Sequence, residues 1–273
     1  MSKSDLTIIT VAANESGFLD LMIKSVHAFT YPKPNIIICD NGNNGSYLKK
    51  YEQYDNVVVI KNKRARKFKM NKQFLNTSTR HGLGLNVIFK LVTTKYTAII
   101  EPDCVVLNYG WDNIPDGYQM NACKKGTGIG GENYYYPCFM IFYTEYLNYN
   151  GRMSFLSNNR PEGVGKGIPI VKNEMGKFKR YSDVGWQVYT KIPNDKVNIL
   201  KFARWNNKAS KRFYKKFSHK TNVFIDQNND IVAAHFWRGS EISRRKDYRG
   251  LSVAGQKGMW FSVVKKCLAD GYG

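Results

Sequence analysis

Acidic side chains are scarce in this sequence. Asp and Glu number 21 against 42 Lys and Arg, a formal net charge of +21 on 273 residues. Solubility alone is one explanation, but it needs far less charge than this. The imbalance argues for a polyanionic partner: nucleic acid, an anionic membrane surface or an acidic polysaccharide. Cysteine is sparse as well. The 5 residues, Cys39, Cys104, Cys123, Cys138 and Cys267, are odd in number and widely spaced, with no C-x-x-C pair. That excludes a zinc knuckle and fits a reducing, cytoplasmic compartment. Long apolar runs are missing, since nothing approaches the roughly 18 residues of a membrane span. A leader peptide is not expected either: Met1–Asp5 is polar, and the apolar run after it is broken by Asn14 and Glu15. No G-x-x-x-x-G-K-[ST] loop occurs, and Gly82-Leu83-Gly84 lacks the later glycine of a dinucleotide fingerprint.

What the chain does have is an alternation of short apolar runs and helical patterns over its first ~115 residues, the mark of an α/β sheet. Leu6–Val11, Asn35–Cys39, Asn56–Ile60 and Tyr96–Ile100 read as strands, uniformly apolar and therefore buried. Between them, Ser16 can cap a helix with apolar residues at Phe18, Leu21, Met22, Val26 and Phe29, and Gly82–Val92 reads as a second helix. Beyond Trp111 the rhythm breaks into glycine-rich loops (126–131 and 161–167). Cys138–Tyr143, Asn222–Ile225 and Ile231–Ala234 read as strands there, Asp183–Ile192 as a helix, and Gly250–Leu268 as a closing helix. No repeat or linker divides the chain. The expectation is one continuous domain, with a nucleotide-binding half (1–115) and an acceptor-binding half (116–273).

Ligands of open α/β sheets bind beyond the carboxyl ends of the strands. The polar residues there are Ala13-Asn14-Glu15, Asp40-Asn41 and Glu101-Pro102-Asp103. Singly each is explained by a turn cap; together they define a carboxylate-lined crevice. In the second half, Asp183 stands at a predicted helix start beside Trp186, as a general base or an ordinary N-cap. Glu132 is the reserve base. Tyr134–Tyr136 is a stacking platform or core packing.

The segments ITVAANESGFLDLMIKSV, IIICDNGN and HGLGLNVIFKLVTTKYTAIIEPDCVV, in this order and spacing, resemble the family 2 type of glycosyltransferase with the GT-A fold. The resemblance covers about residues 6–107. It implies an α/β, Rossmann-like mixed sheet flanked by helices that transfers a sugar from a nucleotide-sugar donor, with UDP as the default nucleotide. The loop at Ala13, Asn14 and Glu15 would touch the base, and Asp40 and Asn41 the base or ribose. Asn86 and the Arg80–His81 neighbourhood would face the diphosphate. Glu101 and Asp103 correspond to the D-x-D motif, with Asp103 as the direct ligand of Mg²⁺ or Mn²⁺; Glu at the first position departs from the pattern. A late histidine often completes the metal shell in such enzymes, and His235 is the best placed here. The chemistry agrees, because a leaving nucleoside diphosphate needs its charge stabilised by a cation held on oxygen ligands.

Three basic clusters suggest the acceptor. Residues 61–72 carry seven positive side chains, among them Lys63, Arg64, Arg66 and Lys67. Residues 201–220 interleave Arg212 and Lys215 with aromatics. Arg244 and Arg245 open the third, with Arg238 shortly before it. Positive charge beside aromatic rings suits a nucleic-acid strand. DNA is thus the leading acceptor, at hydroxymethylated pyrimidines as in the glycosyltransferases of some bacterial viruses, with the target base flipped out. The alternatives are a peripheral enzyme of cell-envelope saccharides and a non-catalytic nucleic-acid-binding protein. No protein partner is expected.

Overall fold

The computed structural model describes residues 4–13, 16–42, 45–62, 77–125, 134–148, 155, 188, 191–203, 221–236 and 252–270. The first strand, β1 (Leu6–Ala12), is followed by α1 (Ser16–Phe29), β2 (Asn35–Asp40), a 3-10 helix (Gly45–Tyr51) and β3 (Val57–Lys61). Then come α2 (Thr77–Phe89), β4 (Tyr96–Ile100), β5 (Cys104–Val106), β6 (Met120–Lys125), β7 (Tyr134–Tyr143) and α3 (Thr144–Asn148). The later elements are β8 (Val197–Ile199), β9 (Lys201–Ala203), β10 (Thr221–Ile225), β11 (Ile231–Phe236) and α4 (Val253–Asp270).

The strands form two sheets. One has 7 strands in the order β3-β2-β1-β4-β7-β6-β8, the other 4 in the order β5-β11-β10-β9. In the larger sheet β3, β2, β1 and β4 run parallel, while β7 is antiparallel to β4 and to β6. This is the expected mixed sheet flanked by helices. Its uniformly apolar strands follow from burial on both faces. Side chains alternate across a strand, so Ile8, Ile36, Ile38, Ala98 and Ile100 pack on the α1 side with Leu19, Met22 and Val26. Ile9, Ile37 and Ile99 pack on the other side with Leu85, Ile88 and Phe89 of α2.

The second sheet explains why α1 is apolar on more than one stripe. Its Phe18 and Leu21 turn away from the large sheet and join Val105, Phe236 and, from α4, Trp260 and Val264. Buried Ser25 ties the layers together, donating to the Met22 carbonyl at 2.7 Å and accepting the Val106 N–H at 3.1 Å.

Four expectations need correction. Helix α2 begins at Thr77, five residues before Gly82, and ends at Phe89. Leu91 and Val92 then donate to the Ile88 and Phe89 carbonyls in tighter turns. Strand β3 is not buried throughout, because it is the sheet edge, and Val58 is 51% exposed. The irregular stretch after Trp111 holds β6, which has no alternating apolar pattern to announce it. Strand β7 starts at Tyr134, four residues before Cys138. Of the helix expected at Asp183–Ile192, only 188 and 191–192 are among the described residues, the first two of them helical.

Candidate functional site

The acidic turn is built where the chain leaves one sheet for the other. Strand β4 ends at Ile100, and Glu101-Pro102-Asp103 turns sharply, with the Cys104 N–H donating to the Glu101 carbonyl at 2.9 Å. A proline in the first central position pre-sets φ for such a turn. Strand β5 then enters the smaller sheet, pairing with β11 so that Cys104 lies opposite His235. The two acids therefore stand at a sheet junction, and β11 brings the histidine to them.

The side chains meet. His235 Nε2 lies 3.3 Å from Asp103 Oδ1 and 3.5 Å from Glu101 Oε2. The other Glu101 oxygen, Oε1, is 3.3 Å from His81 Nδ1, which the first turn and a half of α2 supplies. Two histidines thus flank one glutamate, an arrangement the longer arm of Glu makes possible.

A fifth donor comes from β7. Glu101 donates its N–H to the Cys138 carbonyl at 3.0 Å, and the ligand atoms of Glu101, Cys138 and His235 lie within 4.8 Å of one another. Pro137, which has no N–H, precedes Cys138, and the β6–β7 register shifts between Ala122 and Lys124. Cys138 was missed as a site residue in the sequence. Nothing in CFMIFY distinguishes its thiol from core packing, and only pairing of β7 with β4 brings it to the turn.

Burial is the largest influence on His235 and opposes its protonation, yet Cys138 and Asp103 beside the ring carry its pKa well above the ordinary value. Burial likewise raises the Cys138 thiol, against the pull of His235. A neutral thiol gives the ring no anion, so the Asp103 carboxylate is the physical source of the upward shift. The ring nitrogen lies between the Glu101 and Asp103 carboxylates, the position a cation would share.

The donor set suits such an ion. Ligand atoms about 2.1–2.3 Å from a cation and at right angles to one another lie about 3.0–3.3 Å apart. The observed 3.3 and 3.5 Å are close to that spacing. His235 Nδ1 and His81 Nε2 are buried with no hydrogen-bond partner among the described residues.

The nucleotide-side expectations fall around the carboxyl end of β1, which is flanked by β2 and β4. Asp40 ends β2, buried; its Oδ1 accepts the Gly42 N–H at 2.8 Å, while Oδ2 is buried without a described partner. Asn41 is engaged within the protein, donating to the Arg80 carbonyl and accepting from the Asn62 amide, both at 2.8 Å. Arg80 itself is exposed in the first turn of α2, and Ala13 is exposed beyond β1. Asn86 accepts the Phe155 N–H at 2.7 Å. Asn14, Glu15, Glu132 and Asp183 lie outside the described residues. So do all the basic residues expected at the acceptor: Lys63, Arg64, Arg66, Lys67, Arg212, Lys215, Arg238, Arg244 and Arg245.

No family model and no curated protein matches the chain. Solved structures similar to parts of it include a mannosyltransferase from Pyrobaculum calidifontis in complex with GDP-Man and Mn²⁺. It is 12% identical over 54% of this chain and 46% of that one, with a TM-score of 0.39. The galactosyltransferase LgtC gives 15% identity over 51% and 58%, with a TM-score of 0.38. S. aureus TarS gives 13% over 54% and 29%, again with 0.38. This chain spans less than two thirds of the length of each.

Proposed function

We propose that the chain is a metal-dependent glycosyltransferase that moves a sugar from a nucleotide-sugar to a hydroxyl acceptor. One observation carries the reading: Glu101, Asp103 and His235 converge at the carboxyl end of β4, the strand beside β1 in the large sheet. Asp103, His235 and Glu101 would hold Mg²⁺ or Mn²⁺, which supplies charge stabilisation for the departing diphosphate. Asp40 Oδ2, buried without a hydrogen-bond partner among the described residues, supports a donor role, because such an oxygen is costly unless a ligand hydroxyl or N–H satisfies it. Asp183 is the proposed general base, taking the acceptor proton as the hydroxyl attacks.

The acceptor reading rests on charge. A net charge of +21 favours a polyanion, with hydroxymethylated DNA as the leading candidate. Binding alone is a poor test, since a protein this basic adheres to DNA regardless. The decisive experiment is a screen of nucleotide-sugars against hydroxymethylated duplex, unmodified duplex and oligosaccharides, read by product mass. The expected result is one sugar gained per modified base and none on unmodified duplex. Transfer only to a free or lipid-linked saccharide would replace DNA by envelope saccharides. No transfer or donor hydrolysis with any donor would overturn the enzyme reading.

A further inference from the structure

Cys138 is not needed for a hard-cation site. Mg²⁺ and Mn²⁺ are served by carboxylates, carbonyls and water, whereas thiolates select zinc-like ions. Yet the donor atoms of Cys138, Glu101 and His235 lie within 4.8 Å of one another. They come from three elements of the fold: β7, the turn after β4, and β11. The combination is a sulfur, an imidazole nitrogen and a carboxylate oxygen, the ligand types that tetrahedral zinc takes, with Asp103 beside them. The histidine is placed to ligate. His235 is only 5% exposed, and its Nε2 is turned to the acids, 3.3 Å from Asp103 Oδ1 and 3.5 Å from Glu101 Oε2. An ion has a route in, because the Glu101 and Asp103 side chains are 22% and 18% exposed while Cys138 and His235 close the inner side.

We propose that Cys138 is a sulfur ligand of this cation site, so that the pocket of Glu101, Cys138 and His235 takes thiophilic divalent ions such as Zn²⁺ in preference to Mg²⁺. The thiol hydrogen leaves as a proton to the buffer as the sulfur–metal bond forms, and nothing is oxidised or reduced. The inference rests on the metal-site half of the proposed function and adds a consequence for it. Zn²⁺ competes with the hard ion for Glu101 and His235, and the chain is inhibited by zinc at concentrations where Mn²⁺ supports turnover.

The test uses the full-length chain, reduced and metal-free, titrated with Co²⁺ as a spectroscopic substitute for zinc. A sulfur-to-cobalt charge-transfer band in the near ultraviolet should grow to one equivalent. Zn²⁺ should bleach it, and a large excess of Mg²⁺ should leave it. Cys138→Ser should still bind Co²⁺ but lose the band, whereas Cys104→Ser should keep it. Bound Co²⁺ without the band in wild type, or a band that survives Cys138→Ser, overturns the proposal. If the serine variant and Cys138→Ala both fail to fold, X-ray absorption at the zinc edge of wild type decides; a first shell without sulfur sinks the idea. The two readings separate cleanly. Mn²⁺-supported donor hydrolysis with no sulfur band would leave the glycosyltransferase and remove the sulfur ligand. A sulfur band with no turnover under any metal would do the reverse.

Discussion

The backbone N–H of Phe236 donates to the carbonyl of Asp103 at 2.8 Å. That bond sets the register of β11 against the acidic turn, and with it the 3.3 Å approach of His235 Nε2 to Asp103 Oδ1. Asp103 is the last residue of the turn and its neighbour Cys104 pairs with His235, so the strand ladder fixes the approach of acid and histidine. Side chains held by strand pairing are positioned more precisely than side chains on free loops.

Removal of either partner should therefore show in metal binding before it shows in stability. Asp103→Ala and His235→Ala should each weaken Mn²⁺ binding by more than the about 10–100-fold typical of losing an outer-shell partner. Calorimetric titration measures this directly, with the unfolding midpoint as the control. Equal titrations for variant and wild type would return both residues to a structural role.

Gly84 is a close-approach position in α2. A Cβ there would lie 2.8 Å from both Val11 methyl carbons and 3.1 Å from Asn41 Nδ2. Alanine gains about 1 kcal/mol in helix propensity over glycine, but forcing a methyl into a packed site costs about 1–3 kcal/mol. Val11 is buried and branched, so it cannot swing aside. Gly84→Ala should lower stability by about 1 kcal/mol in a urea titration; a midpoint unchanged or raised would contradict the packing argument.

Trp111 is buried, and its indole Nε1 donates to Thr30 Oγ1 at 2.9 Å. Thr30→Val keeps the shape and strands the donor. The expected loss is about 1–3 kcal/mol, the usual cost of a buried group left unpaired. Thr30→Ser, which retains the hydroxyl, should lose less, and equal losses for the two would assign the effect to packing.

All five cysteines are buried, and burial, reinforced by Asp40, pushes the Cys39 thiol up to about 12. At pH 8 its thiolate fraction is then about 10⁻⁴. A raised thiol pKa keeps the unreactive form dominant below it, so raising pH from 7 to 9 should not expose a fast-reacting thiol in native protein. Colorimetric thiol titration should find five only after denaturation. A rapid native reaction mapped to Cys39 by mass spectrometry would sink this.

The division of labour between sequence and tertiary structure follows from the range of each interaction. Strands β1, β2 and β4 and helix α1 were legible because burial on both sheet faces demands continuous apolar runs, which Leu6–Val11, Asn35–Cys39 and Tyr96–Ile100 display. The acids at strand ends were legible too, since the carboxyl edge of a parallel sheet is a local property of each strand. Edge position was not, because whether β3 has a neighbour depends on sheet order, and Val58 gives no sign of its exposure. Nor was the start of α2, where Thr77–His81 lacks an apolar stripe and His81 faces Glu101 instead. Glu101, Cys138 and His235 are 37 and 97 residues apart along the chain. Only two strand pairings, β4 with β7 and β5 with β11, bring them within 4.8 Å, and no local pattern encodes a pairing between strands so distant in sequence.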